Sequence, residues 1–203
     1  MNKIKAAIAS TVLALAVPMV QANALTNGSF EDNNSGDPFV TLQSGLTGWD
    51  IVGSVDLIGN YWNASEGKHS LDLNGNGLGS ISQSFSTVAG TTYIVSFDIA
   101  GNPDAPGVKS LTAGVVDGGN SYTFDSTGKS HGDMGWVSKS FSFVAGSGAS
   151  STLFFTGYQG NGAYGVALDN VTVSSVPEPE TYGMLLAGLG LVGAIARRKK
   201  AAK

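Results

Sequence analysis

The chain has 203 residues, 29 of them glycine, with no cysteine and a formal net charge of −4 at pH 7. Because there is no cysteine, no disulfide can stabilise the fold, which must depend on its own core. The charges are unevenly placed: residues 25–176 contain four lysines and thirteen acidic residues, a net charge of −9. An acidic segment without arginine argues against nucleic acid and anionic membrane surfaces as partners.

The N-terminus has the pattern of an export signal. Two lysines within the first five residues precede an apolar run of small and aliphatic residues at 6–20, and the small-x-small sequence Ala22-Asn23-Ala24 follows. This order is typical of a secretory signal peptide. We therefore predict a signal peptide at residues 1–24, removed by signal peptidase so that the mature chain starts at Leu25.

The central segment, residues 25–175, has the length of one domain and the composition of a β-protein. It is rich in Gly, Ser, Thr, Asn and Val, and glycine–asparagine clusters such as 118–120 separate its apolar runs as turns. Many short strands with frequent turns predict an all-β sandwich or barrel. Alternating segments predict strands at 80–85, 91–100, 136–144, 152–155 and 166–173, the last with a phase shift at Asp169-Asn170 that indicates a bulge.

The last segment, residues 176–203, has three parts in order. Pro177, Glu178 and Pro179 form an extended, accessible motif. An apolar run follows, for which we predict a short transmembrane helix at about 181–196, below the roughly 20 residues of an ordinary span. The tail 197–203 is basic, and its cations fix the membrane orientation with the tail in the cytoplasm: Arg197, Arg198, Lys199 and Lys200. A simple tail anchor and a transient sorting signal both fit this pattern.

This arrangement resembles the PEP-CTERM sorting signal of Gram-negative bacteria that secrete extracellular polymers. The resemblance implies recognition by an exosortase and cleavage near the Pro-Glu-Pro motif. Together with the signal peptide, it implies export through the inner membrane, followed by release or attachment at the cell surface. The protein would then act among extracellular polymers, as in a biofilm.

The central segment resembles the choice-of-anchor C domain, which is similar to the DUF642 family of cell-wall proteins. Both resemble galactose-binding-like jelly rolls, the fold of many carbohydrate-binding modules. We therefore predict a single jelly-roll β-sandwich over residues 25–175. The resemblance is carried by a series of short motifs in order: Asn27-Gly28-Ser29-Phe30-Glu31, Gly48-Trp49, Val55-Asp56-Leu57-Ile58, the run from Glu66 to Gly75, Gln83-Ser84-Phe85, Gly90-Thr91-Thr92-Tyr93, Ala100-Gly101-Asn102-Pro103 and Leu168-Asp169-Asn170-Val171.

Jelly rolls of this kind often hold a structural Ca²⁺ between an acid after the first strand and an acid in the last strand. Glu31 and Asp169 match those two positions, and backbone carbonyls around Gly67–His69 would complete the oxygen set. The alternative is that both acids are ordinary strand-end polar residues. The sequence Asp72-Leu73-Asn74-Gly75-Asn76-Gly77 also matches the start of an EF-hand loop, but Gln83 stands at the twelfth position, so we interpret it as a turn.

Carbohydrate binding requires exposed aromatic side chains beside polar groups. Tyr61, Trp62, Tyr158 and Tyr164 lie in or beside glycine- and asparagine-rich loops and are our candidates. Catalysis has little support, because the chain has two histidines and contains no nucleophile elbow or metalloprotease motif. We predict a non-enzyme.

Three functions remain open at this point. The first is an exported surface or matrix protein whose sandwich binds polysaccharide. The second is a structural or assembly protein of the extracellular matrix without a sugar site. The third and weakest is a glycoside hydrolase, because two spaced carboxylates can occur by chance among thirteen acids.

Overall fold

The computed structural model describes residues 23–35, 38–115 and 118–176, and near the C-terminus residues 183, 186–190, 192–193 and 197–198. Most of the predicted signal peptide lies outside the described residues. The same holds for the Pro177-Glu178-Pro179 motif, for Lys199 and for Lys200.

The described residues between 23 and 176 form eleven strands and one turn of 3-10 helix at Gln159–Asn161. The strands are β1 (Phe39–Leu42), β2 (Asp50–Gly53), β3 (Val55–Ile58), β4 (Ser70–Asp72), β5 (Gly79–Ser86), β6 (Thr92–Gly101), β7 (Val108–Val115), β8 (Gly118–Asp125), β9 (Val137–Val144), β10 (Ser150–Gly157) and β11 (Val166–Ser175).

The strands form two antiparallel sheets packed as a sandwich. One sheet has six strands in the order β1-β3-β4-β11-β6-β9, and the other has five in the order β2-β5-β10-β7-β8. Strands that are distant in sequence become neighbours, since β11 lies between β4 and β6. The predicted all-β jelly-roll sandwich is confirmed.

Alternation along β6 builds the core between the two sheets. Tyr93, Val95, Phe97 and Ile99 are all at most 7 % exposed, as the period-two pattern of the sequence predicts. The Phe97 ring lies 5.1 Å from the ring of Phe155 on β10, in an edge-on arrangement that aromatic pairs favour. This contact joins the centres of the two sheets.

The second face of the six-stranded sheet is also covered in its middle. One row of residues on this face crosses five neighbouring strands, each residue paired with the next: Thr41, Asp56, Asp72, Ala167 and Ala100. The last three of these are fully buried although they point away from the core between the sheets. The loops 59–69, 102–104 and 162–165 therefore form a third layer on this face.

Two local predictions have different outcomes. The bulge is confirmed, because the pairing of β11 with β6 shifts between Asp169 and Thr172 and Asn170 has φ 50°. The turn at 118–120 is wrong, since these residues begin β8 and pair with β7. The backbones of β7 and β8 approach closely here, so the pairing requires glycine. A Cβ on Gly114 would lie 1.9 Å from the carbonyl oxygen of Gly118.

The N-terminal motif is a turn and not a strand. Residues 23–35 contain no strand, and Asn27 and Phe30 have φ of 53° and 63°. Glu31 therefore follows a turn, and the first strand of the described chain is β1. The Phe30 side chain is fully buried and packs against Trp49, with ring centroids 5.9 Å apart.

The described residues of the C-terminal segment are helical and exposed, including Arg197 and Arg198. Among the described residues there is no helix with the length and apolar character needed to cross a membrane. The predicted span at 181–196 lies partly outside the described residues.

Phe97→Ala should lower the free energy of unfolding by about 3–5 kcal/mol, because it leaves a cavity where the sheets meet. Ile94→Ala is the matched control on the same strand, since Ile94 is 40 % exposed and should change stability by less than about 1 kcal/mol. Urea denaturation measures both. Equal losses in the two variants would contradict the assigned core.

Candidate ligand-binding cleft

A cleft of about 220 Å³ opens where β1 and β3 meet the covering loops. Its floor comes from the face of the sheet that points away from the core, and its walls come from the loops after β3, β4 and β6 and before β11. The lining residues are Phe39, Thr41, Asp56, Ile58, Tyr61, Trp62, Gly75, Asn76, Asn102, Asp104, Ala163 and Tyr164.

Three of the four predicted aromatic residues line this cleft. Tyr61 packs edge-on against Phe39, with ring centroids 5.3 Å apart. Trp62 is 4 % exposed and its indole N–H donates to Ser70 Oγ at 2.9 Å, so it supports Tyr61 from below. Tyr164 is 45 % exposed. The fourth residue, Tyr158, is 58 % exposed and is not part of the cleft lining.

Tyr61 is held in place by an acid and a histidine. Its hydroxyl donates to Asp104 Oδ2 at 2.7 Å, and His131 Nε2 lies 2.9 Å from Asp104 Oδ1. The hydrogen bond to the Asp104 carboxylate raises the pKa of Tyr61. The His131 ring also packs on Tyr61, with centroids 4.4 Å apart. These contacts orient the Tyr61 ring before any ligand binds, which lowers the entropy cost of binding.

A second acid, Asp56, lies in the floor of the cleft. Thr41 Oγ1 donates to Asp56 Oδ1 at 2.6 Å from the directly opposite position on β1. Burial raises the pKa of Asp56. With Asp104, the lining contains two carboxylates, and it contains neither lysine nor arginine. Such a cleft can accept hydrogen bonds from hydroxyl groups and disfavours anionic ligands.

Asp72 holds the walls of the cleft together from beneath. Its carboxylate is fully buried. It accepts three hydrogen bonds of 2.9 Å, from the backbone N–H of Asn74, the side-chain amide of Asn102 and the backbone N–H of Gly165. These donors belong to the loops after β4, after β6 and before β11. Burial raises the pKa of Asp72 to about 7.

Asn74 completes this arrangement. Its side-chain amide donates to the carbonyl oxygens of Tyr158 and Gly162 at 3.1 and 2.9 Å, which fixes the loop that carries Tyr164. A Cβ on Gly165 would lie 2.2 Å from Asp72 Oδ1 and 2.7 Å from Asn74 Oδ1, so glycine alone fits there. The Asp72–Gly77 sequence thus ends β4 and enters the connection to β5, consistent with a turn between two strands, and its first and third side chains hold neighbouring loops.

Glu31 and Asp169 accept hydrogen bonds from backbone N–H groups of the same loop, residues 65–69. Glu31 Oε1 accepts the backbone N–H groups of Lys68 and His69, both at 2.7 Å, and Asp169 Oδ2 accepts those of Ser65 and Glu66, both at 2.8 Å. Both acids therefore fix the path of the loop 65–69 through its backbone N–H groups.

Two further observations bear on chemistry at this face. In the part of the chain that the structure describes, no three acidic or histidine side chains group closely enough to hold a metal ion. A larger hollow of about 600 Å³ lies over the loop 59–69, but its one aromatic lining residue is the buried Trp62. The cleft with Tyr61 and Tyr164 is therefore the better candidate site.

Sequence reasoning missed several residues of the cleft. Phe39 belongs to a strand of four residues, too short to show a period. Asp56 and Asp104 are single acids among thirteen, and only the fold brings them together. Two of the motifs quoted above were the available signals, because Val55-Asp56-Leu57-Ile58 contains Asp56 and Asp104 directly follows Ala100-Gly101-Asn102-Pro103.

Comparison with known proteins places the sandwich and the tail separately. The family model "Protein of unknown function (DUF642)" matches residues 23–174. The "PEP-CTERM protein-sorting motif" matches residues 175–200. The first match covers most of the described sandwich, and the second covers the C-terminal segment.

Halomucin from Haloquadratum walsbyi is 30 % identical over 168 residues, which cover 78 % of this chain. The chain spans only 2 % of the length of that protein.

Two solved structures share the fold. The carbohydrate-binding module TmCBM61, solved with β-1,4-galactotriose, has a TM-score of 0.53 and 16 % identity, and the match covers 77 % of this chain and all of the module. The arabinose-bound α-L-arabinofuranosidase MgGH51 has a TM-score of 0.51 and 14 % identity, over 76 % of this chain and 26 % of the enzyme. At these identities the likeness is one of fold.

Calcium binding at Glu31 and Asp169 stays a prediction, and calorimetric titration of the metal-free protein with Ca²⁺ tests it. The calcium hypothesis predicts heat on titration and a higher Tm, both lost in Glu31→Gln. If the two acids only hold the loop, Ca²⁺ leaves Tm unchanged while Glu31→Gln still lowers it. The two roles therefore give different results in the same pair of proteins.

Asp72 should make stability depend on pH. Its pKa is raised from 3.8 in the unfolded chain to about 7 in the folded protein, so the folded state binds the proton more tightly. The contribution of Asp72 to the free energy of unfolding is therefore greatest below pH 4 and decreases as pH rises towards 7, by about 1.4 kcal/mol for each unit of pKa difference. Urea denaturation at several pH values between 4 and 8 measures this slope.

Asp72→Asn should reduce this pH dependence without removing it, because burial also raises the pKa of Asp169 to about 7. The substitution also lowers stability by disturbing the loop contacts. The control is Asp50→Asn, because Asp50 is an exposed acid on β2, outside the loops that Asp72 joins. A slope that is the same in wild type and Asp72→Asn would rule out the assigned titration.

Proposed function

Because the chain belongs to the DUF642 family and ends in a PEP-CTERM protein-sorting motif, we propose that it is an exported protein of the cell surface or extracellular matrix whose β-sandwich binds polysaccharide. The observation that carries the proposal is the cleft, in which the exposed Tyr164 and the fixed Tyr61 line one space with Asp56 and Asp104.

The chemistry of the cleft suits a sugar. A tyrosine ring can pack against the C–H face of a pyranose. Carboxylate and amide oxygens can accept hydrogen bonds from the hydroxyl groups of the sugar. The cleft offers both kinds of group within about 220 Å³, a volume that fits one or two sugar residues of a longer chain. Its two carboxylates favour a neutral polysaccharide over a uronate polymer.

The comparisons support this proposal at the level of the fold. TmCBM61 is a module of the same architecture that was solved with a galactose oligosaccharide. We therefore choose β-1,4-galactan as the first neutral probe. The cleft and the fold together support a carbohydrate ligand, and binding experiments identify the sugar.

The sorting motif supports the proposed location. Signal peptidase would remove the N-terminal signal, and the C-terminal segment would hold the protein in the membrane until an exosortase cuts near Pro177-Glu178-Pro179. The protein would then reach the surface or the surrounding matrix, where polysaccharide is available. The acidic sandwich is suited to solubility in that environment.

Catalysis is not part of the proposal. A glycoside hydrolase needs two carboxylates free to act on the scissile bond. In the cleft, both oxygens of Asp104 accept contacts, from Tyr61 and from His131, and one oxygen of Asp56 accepts from Thr41. These contacts favour positioning roles for the two acids.

The test is affinity electrophoresis or calorimetry of the full chain with β-1,4-galactan, and with polygalacturonate as the anionic comparison. We expect binding to galactan, weaker binding to polygalacturonate, and a loss of about tenfold or more in galactan affinity for Tyr164→Ala, since tenfold corresponds to about 1.4 kcal/mol.

Tyr158→Ala is the matched control, because Tyr158 is an exposed tyrosine of the same loop region outside the cleft. Its affinity should equal that of wild type. Equal losses in Tyr158→Ala and Tyr164→Ala would remove the cleft as the site. Absence of binding to any neutral polysaccharide would favour the structural matrix role instead.

A further inference from the structure

Among the described residues, no strand covers one side of strand β11 along its second half. On one side it pairs with β6 from Val166 to Ser175, but on the other side β4 pairs only with Ala167 and Leu168. After the bulge, the backbone groups on that side need other partners, because unpaired backbone groups near the core are costly.

Residues 23–28 supply those partners. Asn23 is central: its side-chain Nδ2 donates to the carbonyl oxygen of Val171 at 3.0 Å, and its Oδ1 accepts the backbone N–H of Val173 at 2.9 Å. The backbone N–H of Ala24 donates to the carbonyl oxygen of Val173 at 3.1 Å, and Val171 N–H donates to the carbonyl oxygen of Gly28 at 2.9 Å. The Asn23 side chain thus provides the donor and the acceptor that the backbone of a neighbouring strand would provide.

The close approach at Gly28 shows how tightly this segment packs. A Cβ at Gly28 would lie 2.0 Å from the carbonyl oxygen of Val171 and 3.0 Å from Asn23 Nδ2. Leu25, which follows directly, is 8 % exposed and belongs to the core. The folded domain therefore includes Asn23 and Ala24, and does not begin at Leu25.

Cleavage after Ala24 would remove three of the four contacts to Val171 and Val173. It would also place the charged α-amino group on Leu25, directly beside the core, where desolvation of a charge is unfavourable. Cleavage after Ala22 would keep all four contacts and leave the α-amino group on Asn23, which is exposed.

The sequence allows the second site. Val20-Gln21-Ala22 also ends in a small residue with a small aliphatic residue two positions before it, the pattern that signal peptidase requires. We propose that the export signal is cut between Ala22 and Asn23, two residues before the site predicted above from Ala22-Asn23-Ala24. Water attacks the Ala22 carbonyl, the Ala22–Asn23 bond breaks, and the products are the Ala22 carboxylate and the Asn23 α-ammonium. The inference rests on the predicted export signal.

N-terminal sequencing and intact mass of the full chain, recovered from the periplasm of a Gram-negative host, test the proposal. The expected N-terminus is Asn23. An N-terminus at Leu25 overturns the proposal, and a chain that keeps Met1 overturns both the proposal and the predicted signal.

A pair of variants tests the site independently. Glutamine is a poor residue directly before a signal peptidase cut, so Ala22→Gln should block processing at Ala22 and cause the precursor to accumulate. Ala24→Gln should be processed like wild type, with Asn23 at its N-terminus, because residue 24 then lies after the cut. Ala22→Gln should be blocked at either site, because Ala22 is also the first small residue of Ala22-Asn23-Ala24, so Ala24→Gln is the variant that separates the two sites. A block in Ala24→Gln overturns the proposal.

The contacts of Asn23 can be tested by thermal denaturation. Asn23→Ala in the processed protein removes the side-chain contacts to Val171 and Val173 and should lower Tm by roughly 2–8 °C. Asn60→Ala, at an exposed loop asparagine, is the control and should leave Tm within about 1 °C. An unchanged Tm in Asn23→Ala would mean that residue 23 does not belong to the folded domain, and would overturn the reason for the site.

Discussion

A single buried carboxylate organises the face of the sandwich on which the cleft lies. Asp72 sits on a three-residue strand between β3 and β11, and it binds groups from three loops. A buried acid costs free energy, which the hydrogen bonds from Asn74, Asn102 and Gly165 offset. These contacts act together with the backbone hydrogen bond from Asn102 N–H to the Gly165 carbonyl oxygen, at 3.0 Å, to hold the loop of Tyr164 beside the loop of Asp104. The shape of the cleft thus depends on a residue that does not line it.

The parts of the fold that could be predicted from sequence are those with a local cause. The alternation of β6 shows in four consecutive odd-numbered apolar residues, and the bulge shows where the alternation of β11 changes phase at Asp169. The strands β1 to β4 have three or four residues each, too few to display a period. The glycines at the start of β8 predicted a turn, yet they are in a strand because close backbone packing at Gly114 requires small residues there.

The candidate site was predictable in its exposed parts and not in its supports. Tyr61 and Tyr164 were identified because aromatic residues in polar loops are unusual. His131 contacts Trp62 and Asp104, which lie 69 and 27 residues away in the chain, and no local pattern records such contacts. Glu31 and Asp169 were expected to share a Ca²⁺ site with carbonyl oxygens around Gly67–His69, and the sequence did not show that both acids accept backbone N–H groups of the loop 65–69.

The direction of β11 has a mechanical consequence. The strand begins beside Tyr164 at the cleft and ends at Ser175, about 30 Å away for ten extended residues, and Val176 N–H still bonds to the carbonyl oxygen of Thr92. A pull between a ligand in the cleft and the C-terminal segment would therefore run along β11. Its hydrogen bonds to β6 on one side, and to residues 23–28 on the other, would be loaded together in shear rather than opened one after another. A domain connected in this way resists force in the direction in which a polymer-bound surface protein would experience it.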